Sequence, residues 1–403
     1  MKKHYLFFSN HLSLKPDTAH EIHDVLCANA AANLGYSSVL TYPDQTLGKF
    51  NPIAWADPFK LQKPNQRFAE FYDTQDYLKI APLPMPWFSD RHSSKFTNSS
   101  TIACKYYFPV HILPKTQLVQ TRNWNFAKAA VKNEIPVIYE SHYYQETPFE
   151  KAIVSSPWFQ AAITQSTLTR ENLVQCGMPP EKAVALHNGF ERSFLIRQPQ
   201  EAEHWRRELL KDGRNKLVVY SGALYKFKGV DLLVEVAKEL PEIQFVVTGG
   251  TESQVSSYRE LSQQKSVGNI TFLGWILPRQ RLVSLFQAAD MLAHPHCSGK
   301  EADFTNPVKF FQYIASGTPI VATAIVPLLE FKLPHLAMDW CEPDNSIQFS
   351  DCLRFALKKY PRKIEGYAEN IEFGKQFSWE NRIEKILSYV DERLRPKTIH
   401  LNE

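Results

Sequence analysis

Residues 306–322, NPVKFFQYIASGTPIVA, carry the reading from which the rest of the chain is interpreted. Asn306 has the side chain of a helix N-cap, and Pro307 suits a first turn, where an N–H has no intrahelical partner anyway. Phe310, Phe311 and Ile314 recur at helical spacing, and Gly317 stands where a chain leaves a helix through the left-handed region. Pro319-Ile320-Val321 then reads as a buried strand of a parallel sheet. A helix start offers unpaired N–H groups and about half a positive charge, so the segment predicts an anion site at Asn306, Pro307, Val308 and Lys309.

The same strand–helix alternation extends in both directions and argues for an α/β fold with parallel sheets. Upstream, strands are predicted near 217–220, 244–248, 270–273 and 291–293, with helices near 230–240, 253–263 and 279–288 between them. A polar, charged stretch, RQPQEAEHWRRELLKDGRNK, reads as a hinge within 195–215. Before it come strands near 5–8, 37–40, 118–120, 137–139, 161–164 and 183–186, and helices near 18–34, 124–132 and 166–176. Residues 42–115 break the pattern. They are rich in proline, serine, asparagine and aromatics, and read either as an irregular functional insertion or as a run of short helices. A last helix is expected over 378–394.

Composition sets bounds. A chain of 403 residues predicts two or three domains. The formal charge of +4, with no Lys/Arg tract, excludes a nucleic-acid partner and is compatible with an anionic ligand or weak contact with a membrane surface. Six dispersed cysteines without a C-x-x-C pair read as reduced thiols, which predicts a cytoplasmic location. MKKHYLFFSN is too short for a signal-peptide core, and no window reaches the ~18 apolar residues of a spanning helix.

Ligands of doubly wound sheets bind beyond the C-terminal strand ends, so the loops there are the candidate sites. In SGALYKFKGVDLL, Gly222 precedes Lys226 and Lys228, which either reach a phosphate or are solvated surface lysines. In TGGTES, Gly249 and Gly250 permit close backbone approach or simply form a tight turn. In FLGWILPRQ, Trp275 and Ile276 either stack on a base or fill a strand-end turn. His294, His296 and Cys297 lack a fourth matched donor, so no metal site is expected. Glu140-Ser141-His142 ends a strand and offers a carboxylate and an imidazole for sugar hydroxyls or a proton. No G-x-G-x-x-G, Walker A, G-x-S-x-G, H-E-x-x-H or D-x-D string occurs, which removes support for nicotinamide, P-loop, hydrolase, zincin and metal-dependent single-Rossmann transferase readings.

As an ordered set, HNGFE (187–191), YSGALYKFKGVDLLVEVA, NITFLGWI, NPVKFFQYIASGTPIVA, FSWENR and IPVIYESH resemble family 4 glycosyltransferases of the GT-B fold, over about 118–394. The resemblance implies two Rossmann-like domains facing a cleft. Residues 1–195 would form an acceptor-side domain, 196–375 a nucleotide-sugar domain, and 376–403 a crossover helix and tail that pack back toward the first domain. It implies retaining sugar transfer from a nucleotide-diphosphate sugar, as co-substrate, with no metal or other cofactor. By position, Lys228 and the Asn306–Phe310 helix start with Lys309 would hold the donor diphosphate. His142 would contact the transferred sugar, and Trp275 and Ile276 would lie near the base, with Gly222 and Gly250 lining the donor loops. The acceptor, a glycan, a lipid-linked sugar or a small hydroxyl compound, is expected near His11, Asp17, His20 and Arg122, and peripheral contact with the inner face of a membrane fits a lipid-linked one. Two glutamates of the family's E-x7-E motif are replaced here by Phe304 and Gln312, and Ala223 stands where the family usually has a side-chain donor. Gln312 still offers a hydrogen bond to a ribose, and Glu301 is the nearest substitute for the first glutamate. Those departures keep two other readings open: an inactive module that binds a sugar nucleotide or a partner transferase, and a sugar-nucleotide epimerase.

Overall fold

The computed structural model describes residues 3–12, 14, 19–45, 52–86, 94, 96–299, 302 and 306–398. The chain divides into two compact units. Unit 1 comprises Met1–His187 with Trp379–Glu403, and unit 2 comprises Asn188–Ser378.

Strands in chain order are β1 (His4–Phe8), β2 (Ser38–Asp44), β3 (Lys79–Pro84), β4 (Thr116–Thr121), β5 (Val137–Glu140), β6 (Phe159–Thr164) and β7 (Ala183–Ala185) in unit 1. Unit 2 holds β8 (Lys216–Ser221), β9 (Ile243–Thr248), β10 (Ile270–Gly274), β11 (Met291–His294), β12 (Ile320–Thr323) and β13 (Met338–Cys341). The principal helices are α1 (Ala19–Asn33), α2 (Trp124–Lys132), α3 (Thr167–Gln175), α4 (Pro199–Leu209), α5 (Val230–Glu239), α6 (Glu252–Gln264), α7 (Arg281–Ala288), α8 (Val308–Ser316), α9 (Ser346–Lys359), α10 (Ala368–Lys375) and α11 (Trp379–Ser388).

Unit 1 is a seven-stranded sheet of order β3-β2-β1-β4-β5-β6-β7, and unit 2 a six-stranded sheet of order β10-β9-β8-β11-β12-β13. Every pairing given for these strands is parallel. Strand order reverses beside β1 and beside β8, which makes those edges the places where loops diverge and leave room for ligands. The expected α/β class with two doubly wound sheets is what the chain forms.

Helix α8 follows from its sequence. Phe310, Phe311 and Ile314 are fully buried, and each contributes about 1.5–3 kcal/mol relative to exposure. Gly317 ends the helix at φ 69°. The start differs from expectation. Pro307, not Asn306, is the flanking residue, and no side chain caps the helix. Asn306 is engaged elsewhere: its Oδ1 accepts the Asn188 N–H at 2.8 Å, and Asn188 Nδ2 donates to the Asn306 carbonyl at 2.7 Å. The HNG segment is thereby latched to the start of α8.

Two further expectations change. The final helix stops at Ser388, and a separate turn, Glu392–Leu394, begins where the Asp391 carboxylate accepts the Arg393 N–H. Within 42–115 the chain adds β3 at the sheet edge, short helices at Pro52–Ala56 and Gln66–Tyr72, and a wide helical segment with π-type hydrogen bonding at Ile102–Ile112. The strand KIAPLP carries Pro82 and Pro84, which an edge position tolerates because one side needs no N–H donors. After leaving unit 2 the chain returns to unit 1, where α11 buries Trp379, Ile383, Ile386 and Leu387.

Candidate active site

In unit 2 the loops after β8, β9 and β10 are joined backbone to backbone. Gly222 N–H donates to Thr248 O at 3.0 Å, and Gly249 N–H to Gly274 O at 2.7 Å. Gly249 has φ 105°, and a Cβ there would lie 2.1 Å from the Gly222 carbonyl oxygen, so only glycine fits. Gly250 (φ 77°) continues this turn beside Leu224. Trp275 and Ile276 follow β10 directly, with Ile276 packed against the main core of the unit.

Lys228 ends a single helical turn, Lys226–Lys228, before α5. Gly229 lets that turn sit against Pro295, since a Cβ would fall 1.8 Å from the Pro295 carbonyl oxygen. The Lys228 amine lies 4.6 Å from the Phe227 ring centroid and has no carboxylate partner among the described residues. Burial pushes its pKa down to about 7. Beside it stand two buried imidazoles, His294 and His296, with ring centroids 3.8 Å apart. Burial, then the Lys228 charge, holds His294 near pKa 3. Burial, His294 and Lys228 hold His296 well below the usual imidazole value. Among the described residues, neither His294 ring nitrogen nor His296 Nδ1 has a hydrogen-bond partner.

The His294 ring packs 5.6 Å from Phe310 at the start of α8, and the neighbouring Lys309 is a second strained amine. Burial, then Arg279, brings its pKa down to about 7, with Glu191 opposing. Glu191, the last residue of HNGFE, accepts from Arg279 Nε and from Gln312 Nε2, each at 2.6 Å. Burial alone would raise the Glu191 pKa, but Arg279, Lys309 and the hydrogen bonds lower it. Gln312 is fully buried, and its amide serves this carboxylate. The expected donor residues of unit 2 thus gather at strand ends and at the start of α8.

Unit 1 holds a second cluster. Glu140 ends β5, with almost no exposure. Arg382 of α11 donates from Nη1 to Oε1 and from Nη2 to Oε2, both at 3.1 Å. Gln120 Nε2 also donates to Oε1. His142 Nε2 lies 3.2 Å, and His23 Nε2 3.3 Å, from Oε2. Burial raises the Glu140 pKa, but Arg382, His23 and His142 outweigh it and hold it well below the carboxylate range. Burial, then Arg122 and His23, takes His142 down to about 3. Burial likewise takes His23 to about 3. Asp24, on the same helix as His23, is raised by burial to about 6, with Arg122 and a Ser9 hydrogen bond opposing.

Of the expected acceptor residues, Arg122 follows β4 and its guanidinium lies 5.7 Å from the Tyr143 ring. His11 is exposed, and its carbonyl accepts from Ser9 Oγ. Asp17, Glu301, Phe304 and the side chain of His20 lie outside the described residues. The sequence reading missed His23, Asp24, Glu191, Arg279 and Arg382 as site residues. Glu191 and Arg382 lie inside quoted motifs, HNGFE and FSWENR, so the signal was present but unassigned.

Among the described residues, His294, His296 and Cys297 do not come together as a group of three ligand atoms. Among the described residues, the His, Cys, Asp and Glu side chains near enough to hold a metal ion are His23, Glu140 and His142, whose ligand atoms lie within 4.8 Å of one another. There the Arg382 guanidinium already engages both oxygens of Glu140.

Residues 201–372, all within unit 2, match the family model described as Glycosyl transferases group 1. Among curated proteins, the chain is 27% identical over 230 residues to D-inositol 3-phosphate glycosyltransferase of Corynebacterium aurimucosum, covering 52% of this chain and 51% of that protein. It is 28% identical over 191 residues to alpha-galactosylglucosyldiacylglycerol synthase of Streptococcus pneumoniae, covering 46% of each. The chain therefore spans about half the length of the curated relatives it matches. Among solved structures, Anabaena Alr3699/HepE in complex with UDP and glucose superposes with a TM-score of 0.67 at 15% identity, over 96% of this chain and 99% of that one. Sucrose-phosphate synthase from Thermosynechococcus elongatus superposes at 0.65 and 15%, over 96% and 98%. The fold is GT-B, α/β with two parallel-sheet units.

Proposed function

We propose that the chain is a family 4 glycosyltransferase that moves a sugar, with retention, from a nucleotide diphosphate to a hydroxyl acceptor without a bound metal. The observation that carries this reading is the pair of partly buried amines in unit 2. Lys228 and Lys309 are both held near pKa 7 and have no carboxylate within ion-pair distance among the described residues. Folding desolvates two cations and, among the described residues, sets no carboxylate within ion-pair distance of either, a cost that a dianionic ligand removes. A departing diphosphate is such a ligand, and preorganised positive charge aimed at it is the largest expected contribution to rate. The start of α8 adds its dipole.

Related proteins support the donor class: HepE has been captured with UDP, with UDP and glucose, and with UDP-glucose. The described residues contain no helix long and apolar enough to cross a membrane. The synthase among the relatives is named for a glycolipid product, and a lipid-linked or glycan acceptor reached at the inner membrane face fits the mild positive charge. His142 is neutral above about pH 3 and is assigned to the hydroxyls of the transferred sugar. Glu191 supplies a carboxylate within one hydrogen bond of Gln312, where the family carries a glutamate, so the loss at 312 is consistent with an active enzyme rather than an inactive module.

The test is thermal unfolding of the full chain with UDP and with UDP-glucose. At 100 times Kd the ligand should add about 2.7 kcal/mol to stability. Lys228→Ala should remove at least ~1 kcal/mol of that response. Equal responses from both proteins would remove Lys228 from the site. Retention is read from the anomeric proton coupling of the product.

A further inference from the structure

We propose that Arg382, on the helix that returns to unit 1, is a positioning residue that fixes which nitrogen of His142 carries the proton, so that His142 offers its substrate a hydrogen-bond acceptor. The inference rests on the assignment of His142 to the transferred sugar for its consequence, but not for its geometry. An ionised carboxylate only accepts hydrogen bonds. Glu140 is ionised because Arg382 engages both of its oxygens at 3.1 Å inside a buried site. His142 Nε2, hydrogen-bonded to Glu140 Oε2 at 3.2 Å, must then be an N–H donor, with His23 Nε2 in contact with the same oxygen at 3.3 Å. A ring held as Nε2–H and kept neutral by burial leaves the His142 Nδ1 with a lone pair. His23 Nδ1 lies 3.6 Å from Asp24 Oδ1, and Cys27 Sγ lies 3.9 Å from His23 Nδ1 and 3.8 Å from its Nε2. The ring of His142 meets that of His23 edge-on at 4.5 Å, and the His142 side chain keeps 10% of its surface exposed. The His142 Nδ1 lone pair is therefore the acceptor this cluster presents.

Among the described residues, each charged or titratable group facing the cluster has a place in this balance. From β1 comes Tyr5, hydrogen-bonded to Gln120, and from α1 come His23, Asp24 and Cys27. The end of β4 supplies Arg122, whose charge opposes protonation of His142. The end of β5 supplies Glu140, and α11 supplies Arg382. Remove the Arg382 cation and Glu140 faces two imidazoles with no fixed counter-charge. The cluster then takes up a proton as pH falls, either on Glu140 or on His142. Either site destroys the arrangement. A protonated Glu140 can donate to His142 and flip its tautomer, and a protonated His142 has no lone pair.

The test is 15N NMR of histidine-labelled full-length protein, with the His142 signals assigned by their loss in His142→Gln. In the wild type, His142 should show a protonated Nε2 and a bare Nδ1 from pH 8 to pH 5, with no titration. In Arg382→Gln the same ring should titrate inside that pH window, and turnover of UDP-glucose should gain an acid limb in kcat that the wild type lacks. Arg382→Lys, which keeps the charge, should restore the flat profile. A wild-type His142 carrying its proton on Nδ1, or an Arg382→Gln protein with unchanged tautomer and pH profile, would overturn the proposal. If Arg382→Gln does not fold, Glu140→Gln/Arg382→Gln removes the stranded carboxylate together with its cation. His142 should then populate both tautomers, and a single retained Nε2–H form would equally overturn it. None of the NMR results depends on sugar transfer, so failure of the donor reading at Lys228 leaves this test intact.

Discussion

The two clusters of ionisable groups are built on opposite principles. In unit 1 the Glu140 carboxylate is saturated, with Arg382, Gln120 and His142 all donating to it and His23 in contact at 3.3 Å. In unit 2 Lys228 and Lys309 are desolvated and lack a carboxylate partner within ion-pair distance among the described residues. A saturated cluster holds a side chain in one chemical state, whereas a cluster starved of counter-charge awaits a ligand. On the proposed function the saturated cluster positions and the other binds, and each expectation below would break or sharpen that contrast.

Acid should act most strongly, and on both units. His23, His142 and His294 are held near pKa 3, and His296 well below its usual value. Their folded pKa values lie below the unfolded value, so the unfolded chain takes up protons first and stability falls as pH drops from about 6.5 toward 3. Each imidazole removes about 1.4 kcal/mol per pH unit in that window. Asp24, raised to about 6, opposes them as a single group. Melting temperature should therefore fall steeply between pH 6.5 and 5, and a flat profile there would mean that the imidazoles are solvated.

Next in size is a pair of substitutions with opposite signs. Arg382→Met strands a buried carboxylate and should cost about 3–5 kcal/mol of unit 1 stability in denaturant titration. Lys228→Met removes an amine whose burial is uncompensated, so stability should be unchanged or higher while the response to UDP is lost. Destabilisation by both, to similar degrees, would erase the distinction between the clusters.

The pH dependence of UDP affinity comes third. Bound diphosphate raises the pKa of a lysine that sits near 7 when free, so binding takes up a proton above pH 7. Affinity should weaken by up to about tenfold per pH unit between 7 and 9 for one such lysine, as read from Kd at each pH. Constant affinity over that range would mean that both amines are already charged in the free protein.

The smallest expected effect is Gln312→Glu. It would set a second carboxylate against Glu191, where the Gln312 amide now donates at 2.6 Å. Stability should drop by about 1–3 kcal/mol, and UDP binding should weaken. A gain in both would show that the site wants the second charge.

How much of this could be read from the chain depended on the range of the interaction. Helix α8 was legible because its apolar spacing and Gly317 are local signals, and the α/β class followed from repeated alternation of the same kind. The role of Asn306 was misread because Asn188, 118 residues away, competes for its side chain. Strand β3 was hidden by two prolines that only an edge position admits. The pairing of Glu140 with Arg382 spans 242 residues and that of Glu191 with Gln312 spans 121, so no spacing rule within one segment reveals either. Lys228 and Lys309 were found from loop position, but that no carboxylate among the described residues pairs with them is a property of the folded surroundings alone.

The most direct measurement is calorimetric titration of the full chain with UDP at pH 7.5 in two buffers of different ionisation enthalpy, beside the Lys228→Met/Lys309→Met double variant. The account predicts saturable binding with net proton uptake in the wild type, and loss of both binding and uptake in the variant. Equal affinity in the two proteins, or no binding by the wild type, would contradict it.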